Sequence, residues 1–353
     1  MGGAVDGGVG MVDAVRPSGR AGRVKGKQIA SAVAAIGVTL LFLWMALRKV
    51  EFAALGTALY EAHWIWLVPM IAIMCLDLLV RALRWRVLLS RARKEPAPVW
   101  TLFKLEAIGL AVNNVLFLRL GEIARSALAA RRLGISMLAS LASVAIERAL
   151  DVAALLTIFI CAARVAPGIV PRQVIVGSML VLGGAILALG LLAVAESSVA
   201  PGGVIERALR RWPKVHGLVA QLALGAAVLR SPAAAAQAVV LSLILWSVDA
   251  ALYWAGAYAL GLQHLMDYPR SVLTLSWAGA SSAIPAAPGA IGTFEAVVAS
   301  ILAKLGAGPD AAFAYALVTH MVMYLFVTVL GLFFLSREGV SLAQLREEVD
   351  KRP

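Results

Sequence analysis

Hydrophobic positions in this chain fall in long unbroken blocks rather than at a strand period. Gln28 to Leu47, Trp64 to Leu89, Met137 to Cys161, Val174 to Val194, Ala234 to Leu260 and Ala311 to Leu335 are such blocks. Each is long enough to cross a hydrocarbon core of about 30 Å as a helix of about 20 residues. Two further blocks do not fit a simple span. Thr101 to Leu118 contains Glu106, Gly109, Asn113 and Asn114, a poor composition for a lipid-facing helix. Val272 to Leu305 is interrupted by Pro285, Pro288, Gly289 and Gly292, which together cannot continue a helix. Broken backbone at membrane depth survives only where protein buries it or where it lines a wet cavity. Both blocks therefore predict re-entrant broken-helix hairpins at a functional site.

Charge orients these segments. Arg81, Arg84, Arg86, Arg91, Arg93 and Lys94 end the second block, and Arg119, Arg125, Arg131 and Arg132 follow the third. Basic loops stay in the cytoplasm, so a segment flanked by two of them enters and leaves on one side. The short loop Arg164 to Arg172, with Pro167 and Pro171, falls outside. The expected fold is an all-α polytopic membrane protein of about eight apolar segments: six full spans and two re-entrant hairpins. Its halves, 28–163 and 173–335, repeat span, span, hairpin, span in opposite orientation. Such inverted repeats place a substrate site near mid-membrane where the halves meet. Residues 1–27, rich in Gly and basic side chains, predict a disordered cytoplasmic tail. Residues 203–230 carry Arg207, Arg210, Arg211, Lys214 and Arg230 among apolar positions, which fits a cytoplasmic surface helix or a solvated linker. Residues 336–353 form a mixed-charge tail, and both termini are expected in the cytoplasm.

Composition narrows the function classes. The 353 residues are 61% hydrophobic with mean hydropathy +0.87, beyond what a soluble domain needs. A net charge of +12 would suit nucleic acid, but the basic residues collect in short loops between spans, so no nucleic acid is expected. Cys75 and Cys161 lie in apolar segments without CxxC spacing, which supports neither a disulfide nor a metal site. Phosphate-loop, HExxH and GxSxG patterns are missing, and no cofactor is expected.

An ionisable group at mid-membrane costs roughly 2.5–3.5 kcal/mol, so several together require pairing or water. Glu147, Arg148 and Asp151 are the densest case, and Arg148 with Asp151 has the spacing of a helical ion pair. They are either a polar wall along a substrate path, with Arg84 and Glu295, or an internal salt bridge. Arg119, Glu122 and Arg125 start the helix leaving the first hairpin, beside Gly121 and close after Asn113 and Asn114. A helix N-terminus with two guanidinium groups suits a phosphate; snorkelling arginines are the plainer reading. Glu295 near the start of the second half-helix is either dipole-stabilised or a site for a coupling proton or cationic head group. Asp77, Asp249 and His320 read as solitary polar residues, and Trp64, Trp66, Trp85, Trp246, Trp254 and Trp277 mostly as an interfacial belt.

Several of these stretches recur together in one family. Arg81-Ala-Leu-Arg84-Trp85, Arg119-Leu-Gly121-Glu122-Ile-Ala-Arg125, Gly134-Ile-Ser136, Ala145-Ile-Glu147-Arg148-Ala-Leu-Asp151 and Pro288-Gly289-Ala-Ile-Gly292-Thr-Phe-Glu295 carry the resemblance. In order and spacing, the chain from about 28 to 335 resembles the flippase-like transmembrane domain of lysylphosphatidylglycerol synthases. The resemblance implies a multi-pass protein of a bacterial-type inner membrane that moves or presents lipids. Relatives include flippase domains for aminoacylated phosphatidylglycerol and proteins linked to hopanoid or polyprenyl-glycan pathways. The soluble aminoacyl-transfer domain does not accompany it here, so lysyl transfer is not expected. Leu118 stands where the family has a proline, and His320 where an arginine is common.

The expected function is translocation or presentation of a phosphate-bearing or polyprenyl-linked lipid, with membrane lipids as partners and a lipid-modifying enzyme as a further one. Two alternatives stand beside it: a membrane transferase with Glu147 or Glu295 as base, and a non-catalytic accessory protein. The topology is testable by labelling single cysteines at Ser136 and Gly308 in a background lacking Cys75 and Cys161. An impermeant thiol reagent applied to intact cells should label position 308 and not 136; equal labelling would overturn the arrangement.

Overall fold

A computed structural model describes residues 36–93, 95–116, 120–199, 215, 227–281 and 288–338. The tails at 1–27 and 339–353, most of 203–230, Arg119 and Pro285 lie outside the described residues. The described chain is helical, with eleven α-helices in the order α1 (Ile36–Leu47), α2 (Phe52–Tyr60), α3 (Leu67–Leu88), α4 (Val99–Val115), α5 (Gly121–Leu133) and α6 (Met137–Val165). They continue as α7 (Arg172–Val199), α8 (Pro232–Ala259), α9 (Tyr268–Ser281), α10 (Thr293–Lys304) and α11 (Pro309–Arg337).

Local chemistry sets several boundaries. Ser231 accepts a hydrogen bond from the Ala234 N–H and Pro232 opens α8, a start for which proline's fixed φ is suited. Gly134 ends α5 in the left-handed region at φ 64°, freeing the chain to turn into α6. Among the described residues, four stretches are long and apolar enough to cross a membrane: Trp64–Arg91, Arg172–Val194, Pro232–Ala259 and Pro309–Arg337. Helix α6 has 29 residues but carries Glu147, Arg148 and Asp151. By contrast α4, α5, α9 and α10 have 17, 13, 14 and 12 residues. At about 1.5 Å per residue they reach about 18–26 Å, short of a hydrocarbon core.

Helices α3 and α8 pack along each other at the centre, where Met70, Met74 and Leu252 form one apolar cluster. Around this pair the order of contacts is α4 on α3 and α9 on α8, α5 on α4 and α10 on α9, then α6 on α5 and α11 on α10. Helix α11 closes against α4 and α6 against α9. The α4–α11 crossing is backbone on backbone: a Cβ on Gly331 would sit 2.2 Å from the Ala107 carbonyl oxygen. Small residues permit this approach where lipid offers no hydrophobic drive to bring helices together. Helix α7 packs on α6 and turns its most apolar window outward, with none of it buried. That is the surface of a helix whose solvent is hydrocarbon.

The two ends of the bundle are tied separately. Arg132 reaches Glu338 Oε2 at 2.5 Å and Lys104 reaches Glu338 Oε1 at 3.7 Å. At the other end the Glu51 N–H donates to Asp310 and the His63 N–H to the Ala259 carbonyl. Ser136 follows the first end and Gly308 precedes the second. Of the 203–230 segment, Ala227–Arg230 forms a 3₁₀ turn with Ala227 and Val228 buried, and Val228 joins the core that contains Leu89.

Candidate functional site

The first short pair of helices is held by a backbone contact. A Cβ on Gly121 would lie 1.9 Å from the Gly109 carbonyl oxygen, so only glycine lets α4 and α5 meet this closely. Helix α5 has no side-chain cap of its own from Leu120. Instead Asn113, across the turn on α4, accepts the Gly121 N–H at 2.7 Å and donates to Glu122 Oε2 at 3.2 Å. One of the orphan donors at the start of α5 is thus satisfied within the fold.

One turn further along α5, Arg125 enters a network that joins five helices. Its guanidinium contacts Glu106 of α4 and donates to Glu147 Oε1 of α6 at 2.7 Å, and it lies over the Trp85 ring at 4.8 Å. Arg84 of α3 donates to Asp151 Oδ1 at 2.5 Å and to the Ser242 hydroxyl of α8 at 3.1 Å, and approaches Glu147 Oε1 at 3.4 Å. The Trp85 indole donates to Ser143 and the Trp246 indole to Asp151. Arg84, Glu106, Arg125, Glu147 and Asp151 are all buried. Charges so placed need partners, and breaking one pair leaves an uncompensated ion.

Arg148 differs from the rest. Its side chain is 45% exposed, spans Glu122 Oε1 at 3.3 Å and Asp151 Oδ2 at 3.1 Å, and marks the open edge of the network. Glu106 Oε1, Glu147 Oε2 and Arg84 Nε are buried without a hydrogen-bond partner among the described residues. Buried polar atoms normally have one, so the network retains hydrogen-bonding capacity for water or a polar ligand group.

The second break lies between α9 and α10. Gly289, Ala290 and Gly292 all have positive φ, at 73°, 57° and 85°. Gly292 is needed twice over, since a Cβ there would lie 2.7 Å from the Thr39 carbonyl oxygen of α1. Glu295, at the third position of α10, turns back so that Oε2 accepts the Gly292 N–H at 2.7 Å, the carboxylate half of a capping box. Its other oxygen meets His320 Nδ1 of α11 at 2.7 Å. His320 Nε2 in turn meets the Gly289 carbonyl at 2.9 Å, while the ring stacks on Phe294 at 4.2 Å.

The two breaks are neighbours. Asn113 serves the start of α5, whereas Asn114 faces the other way and donates to Thr328 of α11 at 3.0 Å. The Tyr324 hydroxyl donates to the Asn114 carbonyl at 3.3 Å, and the Tyr324 ring occupies the space a side chain on Gly289 would need. The last turn of α4 therefore touches both.

The structure brings Arg84, Glu122, Arg125, Glu147, Arg148, Asp151 and Asn113 into one network, and places Glu295, Gly289, Gly292 and Asn114 at the second break. Pro288 begins the 3₁₀ turn leading into α10. Arg119 and Pro285 fall outside the described residues. The Arg148–Asp151 pair forms at the expected spacing. Three sequence readings change. Trp85 and Trp246 are not interfacial; they donate into the network, and Trp85 is fully buried. Asp77 is not solitary but pairs with Arg81 on its own helix at 2.7 Å. His320 likewise has Glu295 as a partner. Glu106 was visible only as an odd residue in an apolar block, and its partner lies nineteen positions away across a turn.

A broken-helix, multi-pass helical bundle with buried ion networks defines the class as a polytopic membrane protein. Residues 32–331 match the family described as the lysylphosphatidylglycerol synthase TM region, and the chain belongs to that family. The family links it to lipid handling in a membrane. No functionally curated protein matches the chain.

The network can be tested as a unit. Arg125→Leu alone should destabilise the purified protein by about 3–5 kcal/mol, because two carboxylates lose their counter-ion. Adding Glu106→Leu should recover a substantial part of that loss in thermal unfolding in detergent. Strictly additive losses would show that the pair is not coupled.

Proposed function

We propose that the protein translocates a phosphate-bearing lipid across a bacterial-type inner membrane, with the α4–α5 and α9–α10 pairs as re-entrant hairpins of an inverted repeat. The order of helix contacts around the α3–α8 pair supports this, since each contact in the first half has a counterpart in the second. The lengths of the four short helices support re-entrance. The basic residues Lys104 and Arg132 at one end of the bundle support a cytoplasmic side for that end. Gly292 lies against Thr39 and Leu43 of the first apolar block, which supports a position for the second break inside the membrane.

The observation that carries the reading is Arg148, a half-exposed guanidinium at the open edge of an otherwise buried ion network. A lipid phosphate there would take hydrogen bonds from Arg148, while acyl or prenyl chains stay in hydrocarbon. Arg125 contributes by holding α5 against α6, since its guanidinium is already engaged by Glu106 and Glu147. Glu147, Asp151 and Arg84 form the polar wall behind the head group, with Glu295 along the path. Pro288, Gly289 and Gly292 form the gate that lets one half rock against the other.

In vesicles containing a fluorescent phosphatidylglycerol, wild-type protein should bring inner-leaflet probe to external dithionite. Arg148→Ala should slow this about tenfold or more, the loss of one charge-assisted hydrogen bond of about 1.5–3 kcal/mol. Unfolding temperature should change little, because the side chain is half-exposed. Movement by Arg148→Ala at the wild-type rate, or none by wild type, would contradict the reading.

A further inference from the structure

At the second break, hydrogen-bond arithmetic gives a result that chain composition could not. His320 presents both ring nitrogens to oxygen atoms: Nδ1 to Glu295 Oε1 at 2.7 Å and Nε2 to the Gly289 carbonyl at 2.9 Å. A carbonyl only accepts, so Nε2 must carry a hydrogen. Neutral imidazole has one N–H, and an ionised carboxylate has none to give. Glu295 Oε2 is already accepting the Gly292 N–H, so the carboxylate cannot satisfy Nδ1 by rotating. A second proton is therefore required between Nδ1 and Oε1, borne by either atom. With it the pair is electrically neutral, either as imidazolium and carboxylate or as imidazole and carboxylic acid. Without it the pair has net charge −1 and two lone pairs face each other at 2.7 Å, in a site where both side chains are more than nine-tenths buried.

We infer that Glu295 and His320 form a proton-binding site that holds the turn at 288–292 against α10 and α11, so that lipid movement is coupled to release and uptake of this proton. The inference rests on the translocator reading for its cargo and on the geometry alone for the proton. The oxygens that the pair touches are those of the break itself. Losing the proton forces one of two releases. Glu295 swings away and leaves the Gly292 N–H uncapped, or the ring turns and leaves the Gly289 carbonyl without its donor. Either frees a segment with three positive-φ residues among five, one of them a non-glycine. The proton goes to water admitted as the break opens, and no other bond changes.

The ionisable groups on the elements packed around this pair lie further off or are engaged elsewhere. On α11 the nearest titratable group is Tyr324, edge-on to the ring at 6.2 Å. On α8 it is Tyr253, whose ring lies 6.3 Å from that of Phe294, with Asp249 one turn before it in sequence. Helix α4 presents Asn114 to α11, and its charged Glu106 is turned to Arg125. Helix α1 offers backbone at Thr39 and Leu43, and α3 offers Met70 and Met74. Arg270 of α9 pairs with Asp267, and Glu51 beside α2 binds Asp310, both at chain ends remote from the break. Lys304, at the last turn of α10, is two turns or more beyond Glu295.

Hydrogen–deuterium exchange of the full chain in detergent reads the site without lipid movement. Corrected for intrinsic rate, amides at 289–296 should exchange about tenfold faster at about pH 9 than at about pH 5. Glu295→Gln supplies a permanent N–H to Nδ1 and still accepts from Gly292, so its segment should stay protected at every pH. The same variant should lose pH dependence of probe movement in vesicles. Wild-type protection that ignores pH, or a Glu295→Gln step equal to wild type, overturns the proton site. A clear pH step in exchange with no lipid movement keeps the site and sinks the translocator reading instead.

Discussion

The structure depends on one constraint: ions buried between helices in a low-dielectric medium must neutralise one another. Arg125 cannot remain where it is without Glu106 and Glu147, nor Arg84 without Asp151. Satisfying those pairs ties α3, α4, α5 and α6 together, and Ser242 and Trp246 bring in α8. Apolar packing alone could not choose this arrangement, because lipid tails solvate leucine as well as a neighbouring helix does. Ion pairs and close glycine contacts supply the specificity. Gly109 against Gly121 and Gly331 against Ala107 set distances that longer side chains would forbid.

The same chemistry then differs between the two breaks. At the first, an asparagine from the facing helix caps α5 and the buried arginine is permanently charged. At the second, a glutamate caps its own helix and leans on a histidine, whose charge is adjustable. One break is built for fixed electrostatics and the other for a removable proton. The last turn of α4 stands between them, with Asn113 and Asn114 facing opposite sides. A change at the second break thus has a short physical route, through Tyr324 and Asn114, to the helix that carries Glu106.

Much of this was legible in the order of residues. Blocks of hydrophobicity located α3, α6, α7, α8 and α11, because a span must be long and apolar whatever it packs against. Proline and glycine marked the second break, and Asn113 with Asn114 in an apolar block marked the first. Partners were harder. Helical spacing revealed Arg148 with Asp151, three residues apart, but nothing in the chain order says that Arg84 meets Asp151 across sixty-seven positions. Trp85 and Trp246 read as interfacial because tryptophan is common there, yet burial with a satisfied indole N–H is the other stable solution, and the network provides it. His320 read as isolated for a similar reason: its partner is on another helix, brought near by the packing of α10 on α11.

On the translocator reading, a phosphate-bearing lipid sits at the open edge of the first network. Mass spectrometry of lipids retained by the protein after mild detergent extraction addresses it most directly. Phosphate-bearing lipid should be enriched over its share of the source membrane, and Arg148→Ala should remove the enrichment while the protein remains folded. Retained lipid with the composition of the bulk membrane, unchanged by that substitution, would contradict it.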